Sequence, residues 1–316
     1  MILTLGHKLD GLNDKNVLES ALGKNVQLPS TFGYTFNQRK KVLTLTLTKC
    51  GLTANMQDDE ASFESWAIVL KYYLRDKIDT VIIDTVIIDW EDIPIKEGDG
   101  MYHFNRFVYR LSKFTQSFDW VELARPLPQI PTTLVCNFPN CDAARQEEHT
   151  PESEGWIECM YVEREKGKYD YINHQFPVGL FDYKVSSKTY FTTGRKSAID
   201  IWAIKDKMFY IFELKKPGNK PLGIISELMF YTNVVNDLFS HRIQYKPDNQ
   251  LKKAIEKNYR GFGDFYKVYA NGSIASISAI LLADSFHPLI TNELLEFING
   301  SARFKFCRIN FSMQNV

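Results

Sequence analysis

Cysteine is sparse and unpatterned in this 316-residue chain: five residues, at 50, 136, 141, 159 and 307, include no Cys-x-x-Cys. An odd count does not suit a disulfide framework. Cys136 and Cys141 have no second Cys or His pair at zinc-finger spacing, so buried, reduced thiols are expected. The six histidines show no His-Glu-x-x-His or other paired spacing, which removes the common zinc-hydrolase signature. No apolar run approaches the ~18 residues of a membrane span. Residues 1–10 contain no basic stretch leading into a long apolar core. Neither insertion nor export is therefore expected, and a cytoplasmic, reducing location fits. Low-complexity segments are absent. Gly194-Arg195-Lys196-Ser197 lacks the upstream glycine of a phosphate loop and runs into a strand-like pattern, which argues against a nucleotide site of that type.

What is present is a chain 44% apolar, long enough to bury a large core and near twice the ~150-residue domain prior. Its net charge of zero hides an asymmetry. Residues 184–316 hold 19 Lys and Arg against 11 Asp and Glu, a net charge of +8, so residues 1–183 carry −8. A basic half favours a polyanionic partner through counterion release, although single lysines on helices usually serve only solvation.

The acids in that basic half stand in a pattern. Ala198 to Lys205 and Met208 to Lys215 are β-branched and aromatic runs joined by a short polar turn, the signature of a hairpin. If the turn centres between Asp206 and Lys207, facing residues have numbers summing to 413, and Asp200 lies opposite Glu213. Period-two alternation puts Trp202, Ile204, Phe209 and Ile211 on the same face, with Lys215 two residues beyond Glu213. An apolar strip thus ends in two acids and a base.

Two carboxylates about 5 Å apart at Cβ repel unless a proton or cation lies between them. A divalent ion with oxygen ligands resolves the conflict. Magnesium suits such a pair, with manganese as the alternative, and the Leu214 carbonyl is a candidate third ligand. An ion there makes hydroxide from water and neutralises charge on a phosphodiester, while an ammonium orients the attacking water. Phosphodiester hydrolysis is the chemistry expected.

On these residues the chain resembles the PD-(D/E)XK nuclease superfamily, whose pattern is an acid on one hairpin strand and Glu-x-Lys on the next. Asp200, Glu213 and Lys215 occupy those positions. Downstream, Glu227-x-x-x-Tyr231 in a helical stretch is similar to the Gln-x-x-x-Tyr element of RecB-type members, with Glu replacing Gln, and Ile199 stands where Pro precedes the first acid. The likeness covers about residues 146–316. It implies a restriction-endonuclease-like mixed sheet flanked by helices, a magnesium-dependent nuclease acting on DNA rather than RNA, and a further metal-holding Glu on the first helix, either Glu154 or Glu158. Asp200 and Glu213 would hold the metal with Leu214 and Glu154. Arg195, Lys196 and Gln175 would reach the substrate, with Glu227 and Tyr231 lining its path. A catalytically silent nucleic-acid-binding module on the same fold is the alternative, and homo-oligomers are compatible with either. A second acid-x-Lys triplet, Asp182-Tyr183-Lys184, lacks the hairpin and the following helix and is set aside.

The remaining pattern is α/β. Lys41 to Thr48 alternates as a strand, Ala61 to Arg75 suits a helix, Ile78 to Trp90 is strand-like and holds Asp-Thr-Val-Ile-Ile twice in succession, and Tyr102 to Phe118 reads as a helix. In that last helix His103, Arg106, Arg110 and Lys113 are expected to form a solvated face, with a nucleic-acid surface as the alternative. Prolines 126, 128, 131 and 139 and the polar run 142–154 suggest a boundary between an amino-terminal α/β domain (1–145) and the nuclease-like domain (146–316). A helix from about Pro151 to Tyr161 opens the second part. Later residues read as helices at 223–239, 250–259 and 292–298 and strands at 273–283 and 303–311.

Overall fold

The computed structural model describes residues 14–23, 26–85, 99–141, 150–194, 197–301 and 303–312. In the amino-terminal part, helix α1 (Lys15–Leu22) precedes strands β1 (Phe32–Asn37) and β2 (Val42–Leu47), short helix α2 (Lys49–Thr53), α3 (Phe63–Tyr73), β3 (Thr80–Thr85), α4 (Asp99–Ser117), β4 (Val121–Leu123) and β5 (Leu134–Cys136). The carboxy-terminal part follows as α5 (Glu154–Glu165), β6 (Tyr171–Pro177), β7 (Leu180–Asp182), β8 (Ala198–Lys205), β9 (Met208–Lys215), α6 (Ile224–Phe239), α7 (Asn249–Lys257), α8 (Phe262–Ala270), β10 (Ser276–Ala283), α9 (Asn292–Asn299) and β11 (Phe306–Asn310). The class is α/β. The second Asp-Thr-Val-Ile-Ile copy falls mostly outside the described residues.

Each half has its own sheet. The amino-terminal one runs β1-β2-β3-β4, with β1 and β2 antiparallel and the remaining pairs parallel. Leu43, Leu45 and Leu47 alternate with threonines on β2 and are fully buried, the period-two pattern of a one-sided strand. The second sheet is mixed, ordered β11-β10-β9-β8-β6. Strands β6, β8 and β9 form an antiparallel meander, and β10 and β11 join in parallel. Parallel strands need a crossover, and α6 supplies the one from β9 to β10. Helix α6 is apolar around nearly its whole circumference because it is buried on all sides. Across the sheet, Ile157, Tyr161 and Val162 of α5 pack on Ile201, Ala203, Phe212 and Leu214. The sheet is thus flanked by helices on both faces.

The expected boundary near residue 145 separates the two sheets but not two cores. One apolar cluster runs from Leu18 through Phe107 and Trp202 to Phe306. The small antiparallel pair β5 and β7 crosses between the halves. At the tips of α3 and α6, Ser65 and Ser226 bond reciprocally: each backbone N–H donates to the other hydroxyl (3.3 and 3.1 Å), and the hydroxyls lie 2.7 Å apart. Both serines stand in the first helical turn, where N–H groups have no intrahelical partner. A Cβ on Gly223, just before α6, would sit 2.5 Å from the Gln57 carbonyl, so only glycine allows this approach.

Two expectations are corrected here. All five cysteines are free, yet only Cys136 is buried, while Cys50 and Cys307 are exposed. The α4 cations do not form a solvated face. Arg106, Arg110 and Lys113 are buried. Arg110 donates bidentately to Glu64 of α3, and Lys113 Nζ lies 2.5 Å from Asp237 of α6. Their acids come from distant segments, so Arg110 ties α4 to α3 within the amino-terminal half and Lys113 ties it to α6 of the other half, instead of facing water. No helix among the described residues is long and apolar enough to cross a membrane.

Candidate active site at the β8–β9 hairpin end

The hairpin register is the one counted from the sequence. Pairs run from Lys205↔Met208 to Ile201↔Phe212, all on the 413 diagonal. Asp206 and Lys207 have φ of +51° and +63°, the left-handed pair that a tight two-residue turn between twisted strands requires. Hydrogen-bonded and non-hydrogen-bonded pairs alternate from that turn, which leaves Asp200 and Glu213 in a non-hydrogen-bonded position, where side chains come closest. The ladder stops short of them. In place of a strand carbonyl, the Leu214 N–H donates to Asp200 Oδ2 at 2.8 Å, so the first acid caps the backbone of the strand carrying the second.

Strand β6 is distorted beside the same spot. Its pairing with β8 passes from His174↔Ile201 to Phe176↔Ile199 and omits Gln175, which would face Asp200 and has φ of +55°. A left-handed residue other than glycine inside a strand costs about 1–2 kcal/mol. That twist turns the Gln175 side chain to Glu158 of α5, with Nε2 donating to Oε2 at 2.7 Å. Gln175 also borders a cleft of about 190 Å³ shared with Asn137 and Tyr259.

Acids converge here from three elements. Glu213 is 1% exposed and Glu227, in the first turn of α6, is fully buried. Asp200 is half-buried and leads to the surface. Lys215 is 6% exposed and bridges two of them, with Nζ 2.5 Å from Glu213 Oε1 and 2.8 Å from Glu227 Oε2. Burial, then the charge of Glu158, pushes the Asp200 carboxyl well above its ordinary range, with Lys215 and the Leu214 N–H opposing. Burial, then Asp200 and Glu227, does the same to Glu213. Lys215 moves the opposite way to its own burial: Glu213, Glu227 and Asp200 together raise it. Tyr231, one turn beyond Glu227, is raised by burial and by the same three acids. One lysine does not balance this group.

Among the described residues no three His, Cys, Asp or Glu side chains form a ready-made metal cluster. A magnesium ion commonly needs only one or two carboxylates, with water and substrate completing its shell. Asp200 and Glu213 meet that requirement. The buried Oε2 of Glu213 and Oε1 of Glu227 have no hydrogen-bond partner, and unpaired carboxylate oxygens fit a cation.

The other expected site residues divide. Glu227 and Tyr231 join the cluster from α6. Of the two α5 acids, the expected Glu154 does not join it: Glu154 is exposed and accepts from the Lys216 N–H at 3.3 Å, while Glu158 is buried and acts on Asp200. The two residues are four apart, so both start on one helix face, and only the twist of β6 favours the second. Leu214 meets Asp200 through its N–H, and its side chain packs toward α5. Arg195 and Lys196 lie outside the described residues.

The sequence reading missed the contribution of the amino-terminal half. Arg106 of α4 is 4% exposed and bears electrostatically on Tyr231 and Glu227. Asp58, exposed in the loop after α2, also feels Glu227 and Arg106. The nearest sequence signal was the spacing of His103, Arg106, Arg110 and Lys113 on one helix face. No family model matches this chain, and neither a curated protein nor a solved structure matches it.

Proposed function

We propose that this chain is a metal-dependent nuclease of the PD-(D/E)XK type, hydrolysing phosphodiester bonds in DNA. The observation that supports it best is the placement of Asp200 and Glu213 as facing side chains at the end of a hairpin, with Lys215 buried against them and a carboxylate oxygen left unpaired. Burying two acids and half-burying a third beside one lysine lowers stability, and a structural core has no use for such a group.

The site lies where β9 runs into α6 and on to its parallel neighbour β10, the carboxyl end of strands at which α/β folds commonly place ligands. Asp200 and Glu213 would hold magnesium, which when bound supplies a Lewis acid and a water of lowered pKa. The chain's own groups do the rest. Lys215, held between Glu213 and Glu227, would present its ammonium to the attacking water and to charge building on the phosphate. Glu227 holds Lys215 from the other side. Gln175 and Glu158 fix the Asp200 side of the hairpin. The basic balance of residues 184–316 supports a polyanionic substrate, and DNA in particular rests on the family resemblance alone.

The test is cleavage of single- and double-stranded DNA and RNA with magnesium, manganese or EDTA. Wild type should cut DNA only with metal, and Asp200→Ala and Glu213→Ala should cut nothing. Cleavage persisting in EDTA, or in Asp200→Ala, overturns the proposal. Metal-independent binding without cleavage would identify a silent binding module on this fold.

A further inference from the structure

Helix α4 carries three buried cations, and two of them have carboxylate partners. Arg110 has Glu64 and Lys113 has Asp237. Arg106 has none among the described residues. Its Nη2 donates to Asn55 Oδ1 at 2.8 Å and to His103 Nδ1 at 2.7 Å, and its Nη1 donates to Thr193 Oγ1 at 3.3 Å. An arginine only donates, so His103 Nδ1 is the unprotonated ring nitrogen. All three acceptors are neutral. The buried guanidinium thus makes no ion pair of its own among the described residues, with the Phe230 ring 6.0 Å from its centre, and burial together with Arg110 lowers its pKa to about 10. The exposed Asp58 carboxylate feels this charge without forming an ion pair with it.

The surroundings have the layout of an anion receptor. Asn55, His103 and Thr193 are each half-buried, so the groups that hold the guanidinium are themselves partly open to solvent. Only three of the five guanidinium N–H groups are committed to them. Thr193 in turn contacts Ser197 Oγ at 2.6 Å, three residues before Asp200. Tyr231 and Glu227 act on the guanidinium electrostatically, and Glu227 in turn pairs with Lys215 of the acid cluster. A group carrying negative charge on several oxygens, bound at Arg106, would lie beside the Thr193–Ser197 contact that leads to Asp200. Carboxylates already fill the acid side, so the missing counter-charge is one the ligand must bring.

We infer that Arg106 is a phosphate-binding residue, supplied by the amino-terminal half to a site whose acids belong to the carboxy-terminal half. The phosphate is that of the nucleic-acid substrate, an identity that rests on the nuclease reading, whereas the anion site itself does not. Arginine suits the task because its planar fork meets two phosphate oxygens at once. On binding, the guanidinium exchanges Asn55 and Thr193 for phosphate oxygens, and these half-buried side chains part to admit them.

Inorganic phosphate and a short single-stranded DNA are the probes, the first read by thermal unfolding in EDTA and the second by fluorescence anisotropy in calcium. Wild type, Arg106→Gln and Arg106→Lys are compared. Phosphate should raise the Tm of wild type and leave that of Arg106→Gln unmoved, and DNA affinity should fall ~10-fold or more in Arg106→Gln and less in Arg106→Lys, in keeping with the loss of a charge-assisted pair. An Arg106→Gln protein that is merely less stable, with its responses to phosphate and DNA intact, overturns the inference and leaves the nuclease reading standing if Asp200→Ala still abolishes cleavage. Loss of the phosphate response with unchanged DNA affinity removes Arg106 from the substrate path and also overturns it. Loss of both responses in a protein that cleaves nothing upholds the anion site and rejects the nuclease. If neither variant folds, hydrogen exchange of wild-type α4 decides: phosphate should slow exchange around Arg106, and no change rejects the site.

Discussion

Two acid-x-Lys triplets lie 31 positions apart in this chain, Asp182-Tyr183-Lys184 and Glu213-Leu214-Lys215, and their environments are opposite. The first stands on the surface at the end of a three-residue strand. Asp182 accepts from Thr133 Oγ1, Lys184 lies 5.5 Å over the ring of its neighbour Tyr183, and Tyr183 is half-exposed with φ of +48°. The second ends an eight-residue central strand and is buried with two further acids around it. Water solvates the first set of charges at little cost. Removing the second set from water requires compensation, and Lys215 compensates it only in part. A charge pattern becomes informative about function when the fold withholds the solvent that would make it harmless.

The sharpest way to break this comparison is by rate. In the metal-dependent cleavage assay, Lys215→Ala should slow turnover by roughly 10² to 10⁴, the range for losing a general base or an electrostatic donor. Lys184→Ala should match wild type. Equal losses, or none at either lysine, would place the chemistry elsewhere.

Stability gives the next largest contrast. Lys215→Met leaves Glu213 and Glu227 buried without their counter-ion, which should cost about 3 kcal/mol or more in denaturant unfolding. Lys184→Met should stay within about 0.5 kcal/mol of wild type, as exposed substitutions do. If Lys215→Met is as stable as wild type, the ion pairs carry little and the cluster is wetter than its burial implies.

A smaller effect sharpens the electrostatics. Asp200 and Glu213 are raised above their ordinary values of 3.8 and 4.5. A carboxyl raised by folding holds its proton more tightly in the native state. Its contribution is therefore favourable at low pH and is lost as pH climbs from the unfolded value through the folded one. Lys215, raised in its turn, stays charged and stabilising throughout that window, well below its unfolded value of 10.5. The Tm of the metal-free protein should accordingly contain a component that falls with rising pH above about 4.5, smaller in Glu213→Gln, where Asp200 alone remains, and reduced by calcium. A slope identical in wild type and Glu213→Gln would show that Glu213 is not the raised group.

The hairpin was legible because its determinants are local: a two-residue turn fixes the register, and alternation fixes the faces. Helix α6 was legible as a long apolar stretch, and β2, α3, α4, α7, β10 and α9 showed the periodicity of their classes. Short strands such as β5 and β7 were not, since three residues carry no period and only their partner in the other half makes them strands. The same limit governed the site. Lys215 pairs with a residue two positions away and another on the next helix, but Arg110 and Lys113 find their acids 46 and 124 positions away, so nothing near them in sequence distinguishes a buried cation from a solvated one. The choice between Glu154 and Glu158 was likewise decided by a twist at Gln175 that no local pattern announces.

The paired serines at the tips of α3 and α6 bear on how such a protein can change over time. Ser226 immediately precedes Glu227, and Ser65 immediately follows Glu64, so one junction of three hydrogen bonds sets the position of an acid on each side. A carboxy-terminal half transplanted onto a foreign partner would arrive with an unmet N–H at the first turn of α6, next to the residue that holds Lys215. Recombination at the 145 seam should therefore yield chimaeras that are defective even when both parents fold. The two halves are expected to be inherited as a single cassette, and mutations at Ser65 should be rescued by compensating changes at Ser226 more readily than by changes within its own half.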